Sequence, residues 1–232
     1  MALPRIDVVI PAAGVGKRMG ACIPKQYLLL GRSTILEITV KALQSSVCVG
    51  NIIIGLSETD QWFDKLPLSS DKRIIKAQGG AERSDTVRMC LDKVSTEYVM
   101  VHDAARPLVR TCDIDNLVAG CTGADFKDGG ILACAVADTI KQEKTDRAVI
   151  EKTVPRKHLY RALTPQLFKT KLLKDALDYA YRNNIAITDD ASAMELLGFH
   201  PRLVEGSSTN IKITSPDDLL IAGAILKAYH SI

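Results

Sequence analysis

The residues best suited to chemistry lie close to the N-terminus. Pro11-Ala12-Ala13-Gly14-Val15-Gly16-Lys17-Arg18-Met19-Gly20 follows a short apolar run, and Pro24-Lys25-Gln26-Tyr27 comes soon after it. Small residues and glycines directly after a strand let the backbone approach a triphosphate, and their N–H groups can cradle its oxygens. Arg18 and Lys25 add the positive charge. The pattern is not a Walker loop, which needs Gly-Lys-Ser/Thr. Nor is it a dinucleotide fingerprint, because Gly14, Gly16 and Gly20 are spaced G-x-G-x-x-x-G.

Such a loop needs a strand before it and a sheet around it. Residues 6–10 (IDVVI) are apolar and β-branched, halt at Pro11 and read as a buried strand. Thr34 with Glu37 three residues on forms a capping-box pattern, and Ile35, Ile38, Val40 and Leu43 give the stripe of the helix it starts. The alternation then predicts strands over 51–56, 73–78, 98–102 and 130–137. It predicts helices over 60–66, 82–94, 113–121, 169–183 and 190–197, and a last helix capped by Ser215 with Pro216 in its first turn. Strands that are apolar runs, alternating with helices, imply an α/β, Rossmann-like fold with a mostly parallel sheet and helices on both faces. Ligands of such sheets sit at the carboxyl ends of the strands. Residues 138–158 break the rhythm: they are rich in charge, have β-branched residues on either side of Lys144-Thr145-Asp146 and lack a helical stripe, so they read as a projecting β-hairpin arm. No linker is visible, and residues 1–232 read as one domain.

The bulk numbers narrow the classes. A chain of 232 residues with 47% hydrophobic and 25% charged residues can build a sizeable core and is not disordered. A net charge of +3, from 30 basic and 27 acidic residues, without a basic cluster, argues against nucleic acid as the main partner. The six cysteines include no C-x-x-C pair, which favours reduced thiols and a cytoplasmic protein. No stretch reaches the roughly 20 apolar residues of a membrane span.

P-A-A-G-x-G-x-R-M-G with P-K-Q-Y resembles the sugar nucleotidyltransferases. Further motifs narrow the resemblance to the 2-C-methyl-D-erythritol 4-phosphate cytidylyltransferase family of the non-mevalonate isoprenoid pathway: Gly79-Gly80-Ala81-Glu82-Arg83, Val101-His102-Asp103-Ala104-Ala105-Arg106-Pro107, Ala162-Leu163-Thr164-Pro165-Gln166, Thr188-Asp189-Asp190-Ala191-Ser192 and Asn210-Ile211-Lys212-Ile213-Thr214. The resemblance implies transfer of CMP from CTP to a polyol phosphate with release of pyrophosphate. Asp103, at a strand end, is where a carboxylate can hold Mg²⁺, or another divalent cation, against phosphate oxygens. The acceptor phosphate is itself the nucleophile, so the protein must position and neutralise, a task for Arg18, Lys25 and Lys212.

The same resemblance puts Ala12, Ala13, Gly14, Gly80, Thr86 and Ala104 around CTP. It assigns Arg106, Thr139, Arg156, Thr164 and Lys212 to the acceptor, with Thr139 and Arg156 reaching in from a partner's arm in a homodimer. Ala81 departs from the pattern, which often has Asp there, so cytosine would be read by main chain and Thr86. His102, beside Asp103, reads as a strand-end histidine satisfied by neighbours rather than a general base. A ribitol 5-phosphate cytidylyltransferase and a catalytically silent nucleotide-binding module are the competing readings. Thr-Asp-Asp-Ala-Ser speaks against the first, and intact Arg18, Lys25, Asp103 and Lys212 speak against the second.

Overall fold

A computed structural model describes residues 3–14, 23–122 and 128–230 of the chain. Strand β1 (Ile6–Pro11) is apolar on both faces because both are covered: Ile6, Val8, Val9 and Ile10 are all buried. The short strands β2 (Leu29–Leu30) and β3 (Ser33–Thr34) turn through Gly31 at φ +71°. Helix α1 (Ile35–Gln44) starts at the expected capping box, in which Thr34 Oγ1 accepts from Glu37 N at 3.2 Å and Glu37 Oε2 from Thr34 N at 2.7 Å.

After β4 (Val49–Leu56) the helix expected over 60–66 does not form. Two 3-10 turns, Phe63–Lys65 and Pro67–Ser70, stand there instead. Asp60 Oδ1 accepts from Trp62 N at 3.0 Å and Phe63 N at 2.9 Å, and Pro67 begins the second turn, so no longer helical ladder develops.

β5 (Ile74–Gln78), α2 (Arg83–Cys90) with its 3-10 extension Leu91–Lys93, β6 (Tyr98–Val101), α3 (Thr111–Cys121) and β7 (Gly130–Ala135) follow the expected alternation. β8 (Ile140–Glu143) and β9 (Ile150–Val154) pair antiparallel as a separate two-stranded ladder, and residues 141–153 are exposed. β10 (Tyr160–Lys169) was not among the expected strands. Its register with β7 shifts between Ala162 and Gln166, around Pro165: residues 160–162 and then Gln166 and Leu167 pair with β7, and from Gln166 onward its other edge pairs with β6. α4 (Thr170–Arg182), α5 (Asp190–Leu196), the unexpected short strand β11 (Arg202–Glu205) and α6 (Pro216–His230) complete the order, and Ser215 Oγ accepts from Asp218 N at 3.2 Å to cap α6.

The central sheet has seven strands in the order β5-β4-β1-β6-β10-β7-β11, with only β10 running antiparallel to its neighbours. Alternate residues face opposite layers. Val8, Ile10, Ile52, Ile54 and Met100 pack with α1 and α3 on one side, while Val9, Ile53, Val99 and Val101 pack with α2, α4 and α5 on the other. Helix α6 joins the β2–β3 turn and residues 105–108 in a third cluster, with Ile213 and Ala222 at its centre. The chain leaves β1 toward β4 on one side and finds β6 on the other, which puts a topological switch point beside the glycine-rich loop.

Candidate active site

Three loops at the carboxyl edge of the sheet converge on the switch point. The first, 12–14, is fixed by Ala12 N donating to Gly55 O at 2.8 Å, and by Gln26 Nε2 donating to Ala12 O at 2.7 Å and Gly14 O at 3.3 Å. The second follows β5. A Cβ added to Gly79 would stand 2.5 Å from Ala13 Cβ, so glycine there lets the two loops touch. Buried Thr86 reaches back from α2 and its hydroxyl oxygen accepts from Gly80 N at 3.1 Å, fixing the 79–80 turn. The third follows β6, where Ala104 O accepts from Thr39 Oγ1 at 2.9 Å.

Asp103 is the charge centre. Its Oδ1 accepts from Arg83 Nε at 3.1 Å, and its Oδ2 from Lys212 Nζ at 2.9 Å and Arg106 Nε at 3.2 Å. Burial alone would raise the pKa of this carboxyl, but the charges of Arg83, Lys212 and Arg106 win and hold it well below the usual carboxylate range. The three cations are not equally anchored. Arg83 Nη2 also donates to Asp190 Oδ2 at 2.9 Å, and Arg106 Nη1 to Asn210 O at 2.8 Å, whereas the Lys212 side chain is 39% exposed. Lys212 is therefore the partner best able to swing toward a ligand. Lys25 Nζ donates to Ile213 O at 3.1 Å, which brings the 3-10 turn Lys25–Tyr27 against the segment carrying Lys212.

Behind Asp103 runs a chain of defined hydrogen bonds. Arg106 O can only accept, so His102 Nε2, 3.0 Å away, carries the ring proton, and Nδ1 is left to accept from the Thr164 hydroxyl at 2.9 Å. Thr164 Oγ1 in turn accepts from Asp103 N at 3.1 Å. Burial pushes the His102 pKa down to about 4, so the ring is neutral at pH 7 and serves as a strut, as expected of a histidine satisfied by its neighbours. Asn210 Nδ2 donates to Thr164 O at 2.8 Å. Gln166 ties β10 to α5, donating to Asp189 Oδ2 at 2.8 Å and accepting from Ala191 N at 3.0 Å.

Arg83, Asp103, Arg106, Thr164, Asp189 and Lys212 line a cleft of about 240 Å³. Of the residues expected at the acceptor, Arg106, Thr164 and Lys212 are thus brought together. Thr139 and Arg156 are not part of its lining. They lie on the exposed segment around β8 and β9, where Arg156 Nη1 donates to Ala137 O within the same chain. Arg18 lies outside the described residues. Three residues escaped the sequence reading: Arg83 of Gly79-Gly80-Ala81-Glu82-Arg83 and Asp189 in the cleft lining, and Asp190 behind Arg83, the last two in Thr-Asp-Asp-Ala-Ser. Their signal was present as motif positions but carried no role until the fold joined residues 83, 103 and 190.

Among the described residues no three metal-ligating side chains cluster. An ionised carboxylate at a strand end, beside the 12–14 and 79–80 loops, still fits a hard cation that substrate phosphates and water would mainly hold, for which Asp103 would be the protein ligand.

The sequence profile of the family described as 2-C-methyl-D-erythritol 4-phosphate cytidylyltransferase (IspD) matches residues 6–228. The chain is similar to the 2-C-methyl-D-erythritol 4-phosphate cytidylyltransferase of Shewanella sediminis, with 47% identity over 98% of this chain and 97% of that protein. The protein of the same name from Photobacterium profundum is 46% identical over 96% and 97%. Among solved structures, a crystal structure of 4-diphosphocytidyl-2C-methyl-D-erythritol synthase superposes with a TM-score of 0.81 at 33% identity, covering 96% of this chain and 99% of that one. The Thermus thermophilus 2-C-methyl-D-erythritol 4-phosphate cytidylyltransferase does so with a TM-score of 0.81 at 31% identity, covering 96% and 99%.

Proposed function

The chain belongs to the 2-C-methyl-D-erythritol 4-phosphate cytidylyltransferase family, and on that premise we propose how its cleft divides the work of the reaction. The enzyme transfers CMP from CTP to 2-C-methyl-D-erythritol 4-phosphate in isoprenoid precursor synthesis and releases pyrophosphate. An oxygen of the acceptor phosphate attacks the α-phosphorus of CTP, the bond to the bridging oxygen of the β-phosphate breaks, and pyrophosphate leaves with the electron pair. The nucleophile is already anionic, so no side chain has to take its proton. The protein's share is alignment and neutralisation of charge.

In this reading loops 12–14 and 79–80, with Ala104, receive the nucleotide. Main-chain groups and the turn held by Thr86 read cytosine in place of an acidic side chain at Ala81. Arg18 and Lys25 face the triphosphate. Lys212 leaves Asp103 to bridge the α-phosphate and the acceptor, while Arg106 and Thr164 hold the acceptor from β6 and β10. Asp103 holds a divalent cation, Mg²⁺ in the first instance, which when bound offsets charge on the phosphates. The arm's Thr139 and Arg156 complete the acceptor site of a second copy, so the working unit is a homodimer, each copy one nucleotidyltransferase domain. Cys48, Cys90, Cys112, Cys121 and Cys134 are free thiols, which suits a cytoplasmic site of action. No helix among the described residues is long and apolar enough to cross a membrane.

The observation that carries this reading is the buried, ionised Asp103 at a strand end, held by three cations beside the 12–14 and 79–80 loops that glycine at 79 allows to touch. Pyrophosphate release, measured for each of the four ribonucleoside triphosphates against methylerythritol 4-phosphate and ribitol 5-phosphate, tests it. CTP with methylerythritol 4-phosphate should give the highest kcat/KM, and excess EDTA should abolish turnover. Full activity in EDTA would remove the cation from the mechanism.

A further inference from the structure

Asp190 is an acidic residue at the start of α5, fully buried, and it is not placed to touch the substrates in the roles given above. Its Oδ2 accepts from Arg83 Nη2 at 2.9 Å, and its Oδ1 has no partner among the described residues. Burying a carboxylate is costly unless a cation compensates it, and Arg83 is the cation that does so. The neighbouring edge atom of the same guanidinium, Nε, donates to Asp103 Oδ1 at 3.1 Å, and no other described cation reaches that oxygen, since Arg106 and Lys212 both bind Oδ2. The planar guanidinium is a rigid fork, so fixing one end of its edge fixes the other.

We infer that Asp190 and Arg83 form a positioning pair for the reaction, in which the buried Asp190 locks the Arg83 guanidinium and so sets the direction in which Asp103 presents its carboxylate. Arg83 stands on the first turn of α2 and Asp190 on the first turn of α5, so the pair also ties the two helices of one face to the catalytic edge of the sheet. Removing the Asp190 carboxylate would leave the outer end of the Arg83 edge without its anchor and so loosen the Asp103 carboxylate that must be aimed.

The inference rests on the reading of Asp103 as catalytic, and a double-mutant cycle separates the two. Asp190→Asn should lower kcat about 10-fold in the wild-type background with KM for CTP within about 2-fold, because orientation at the reacting centre is disturbed more than ground-state binding. In an Asp103→Asn background the same substitution should cost less than about 2-fold, since the group it aims is gone. An equal loss in both backgrounds, or no loss in either, would overturn the positioning role. If Asp103→Asn alone has wild-type kcat, it is the catalytic reading of Asp103 that fails.

Should Asp190→Asn not fold, Arg83→Gln and Arg83→Lys replace it, because the Arg83 side chain is 27% exposed and easier to change. Arg83→Gln should reproduce the same background-dependent loss. Arg83→Lys keeps the charge but not the fork, and should recover less than half of the lost kcat. Full recovery would mean that charge alone, not orientation, is what Arg83 supplies, and would equally overturn the proposal.

Discussion

At the residue scale, the reaction depends on a few charges whose placement matters more than their number. Lys25 Nζ sits 3.1 Å from Ile213 O, next to Lys212, and in the reading proposed above its ammonium would face the same phosphates from the opposite loop. Loss of one preorganised charge at a phosphoryl centre costs a few kcal/mol of transition-state stabilisation. Lys25→Ala is therefore expected to lower kcat/KM at least about 100-fold with an unchanged circular dichroism spectrum, and Arg18→Ala to do the same. Wild-type rates in either would sink the triphosphate assignment. His102 gives a different kind of expectation. Its pKa falls from an ordinary value of 6.5 to about 4 through burial. The unfolded chain therefore binds the proton first on acidification, and stability is lost as pH falls from about 6.5 to about 4. The shift corresponds to roughly 3 kcal/mol. Asp103, held well below the usual carboxylate range by Arg83, Lys212 and Arg106 against the effect of burial, keeps its contribution until still lower pH. Denaturant unfolding of wild type and His102→Asn between pH 7 and 4 should show a steeper decline for wild type, and parallel curves would refute the neutral strut.

At the element scale, what could be read from the sequence followed what is local. The capping box of Thr34 and Glu37 and the runs of β1 and β6 are written in neighbouring residues, and all appear as expected. β10 was invisible because its ladder with β7 is broken around Pro165 and β6 joins it only from Gln166 onward, so no unbroken apolar run announces it, and β11 is four mostly exposed residues on an edge. Arg83 and Asp190 escaped for the same reason: their meaning is a meeting of positions far apart in the chain. Residues 140–154 form a ladder whose intervening residues are exposed, and Ile150, Val149 and Tyr160 leave apolar surface uncovered in a single chain. That exposure is what an element designed to meet a second copy would show. If the ladder delivers Arg156 to an acceptor phosphate, Arg156→Ala should raise KM for methylerythritol 4-phosphate about 10-fold or more and leave KM for CTP within about 2-fold, because a lost charge-assisted bond to one substrate weakens that substrate alone. Equal weakening of both substrates in steady-state kinetics would count against the arm.

At the scale of the whole molecule, the carboxyl edge of the central sheet and the segment before α6 bring together Asp103, Arg106, Thr164 and Lys212 from one chain. In the reading given above, Thr139 and Arg156 belong to the other. A site divided in this way has a consequence that no single substitution reveals. A chain carrying Arg156→Ala spoils its partner's site, while a chain carrying Asp103→Asn spoils its own. In a hybrid dimer of the two, one site therefore carries both lesions and the other carries neither. Homodimers of either variant have a lesion in every site. Free exchange of equal amounts makes about half the dimers hybrids, and one site in two of each hybrid is whole, so activity per site should recover to about a quarter of wild type. Mixing the two purified variants, with exchange followed by native mass spectrometry of an isotopically labelled chain, provides the measurement. If Arg156 and Asp103 instead act in the same site of one chain, every site in every dimer keeps a lesion. Mixing then restores nothing however complete the exchange, and the divided site is refuted.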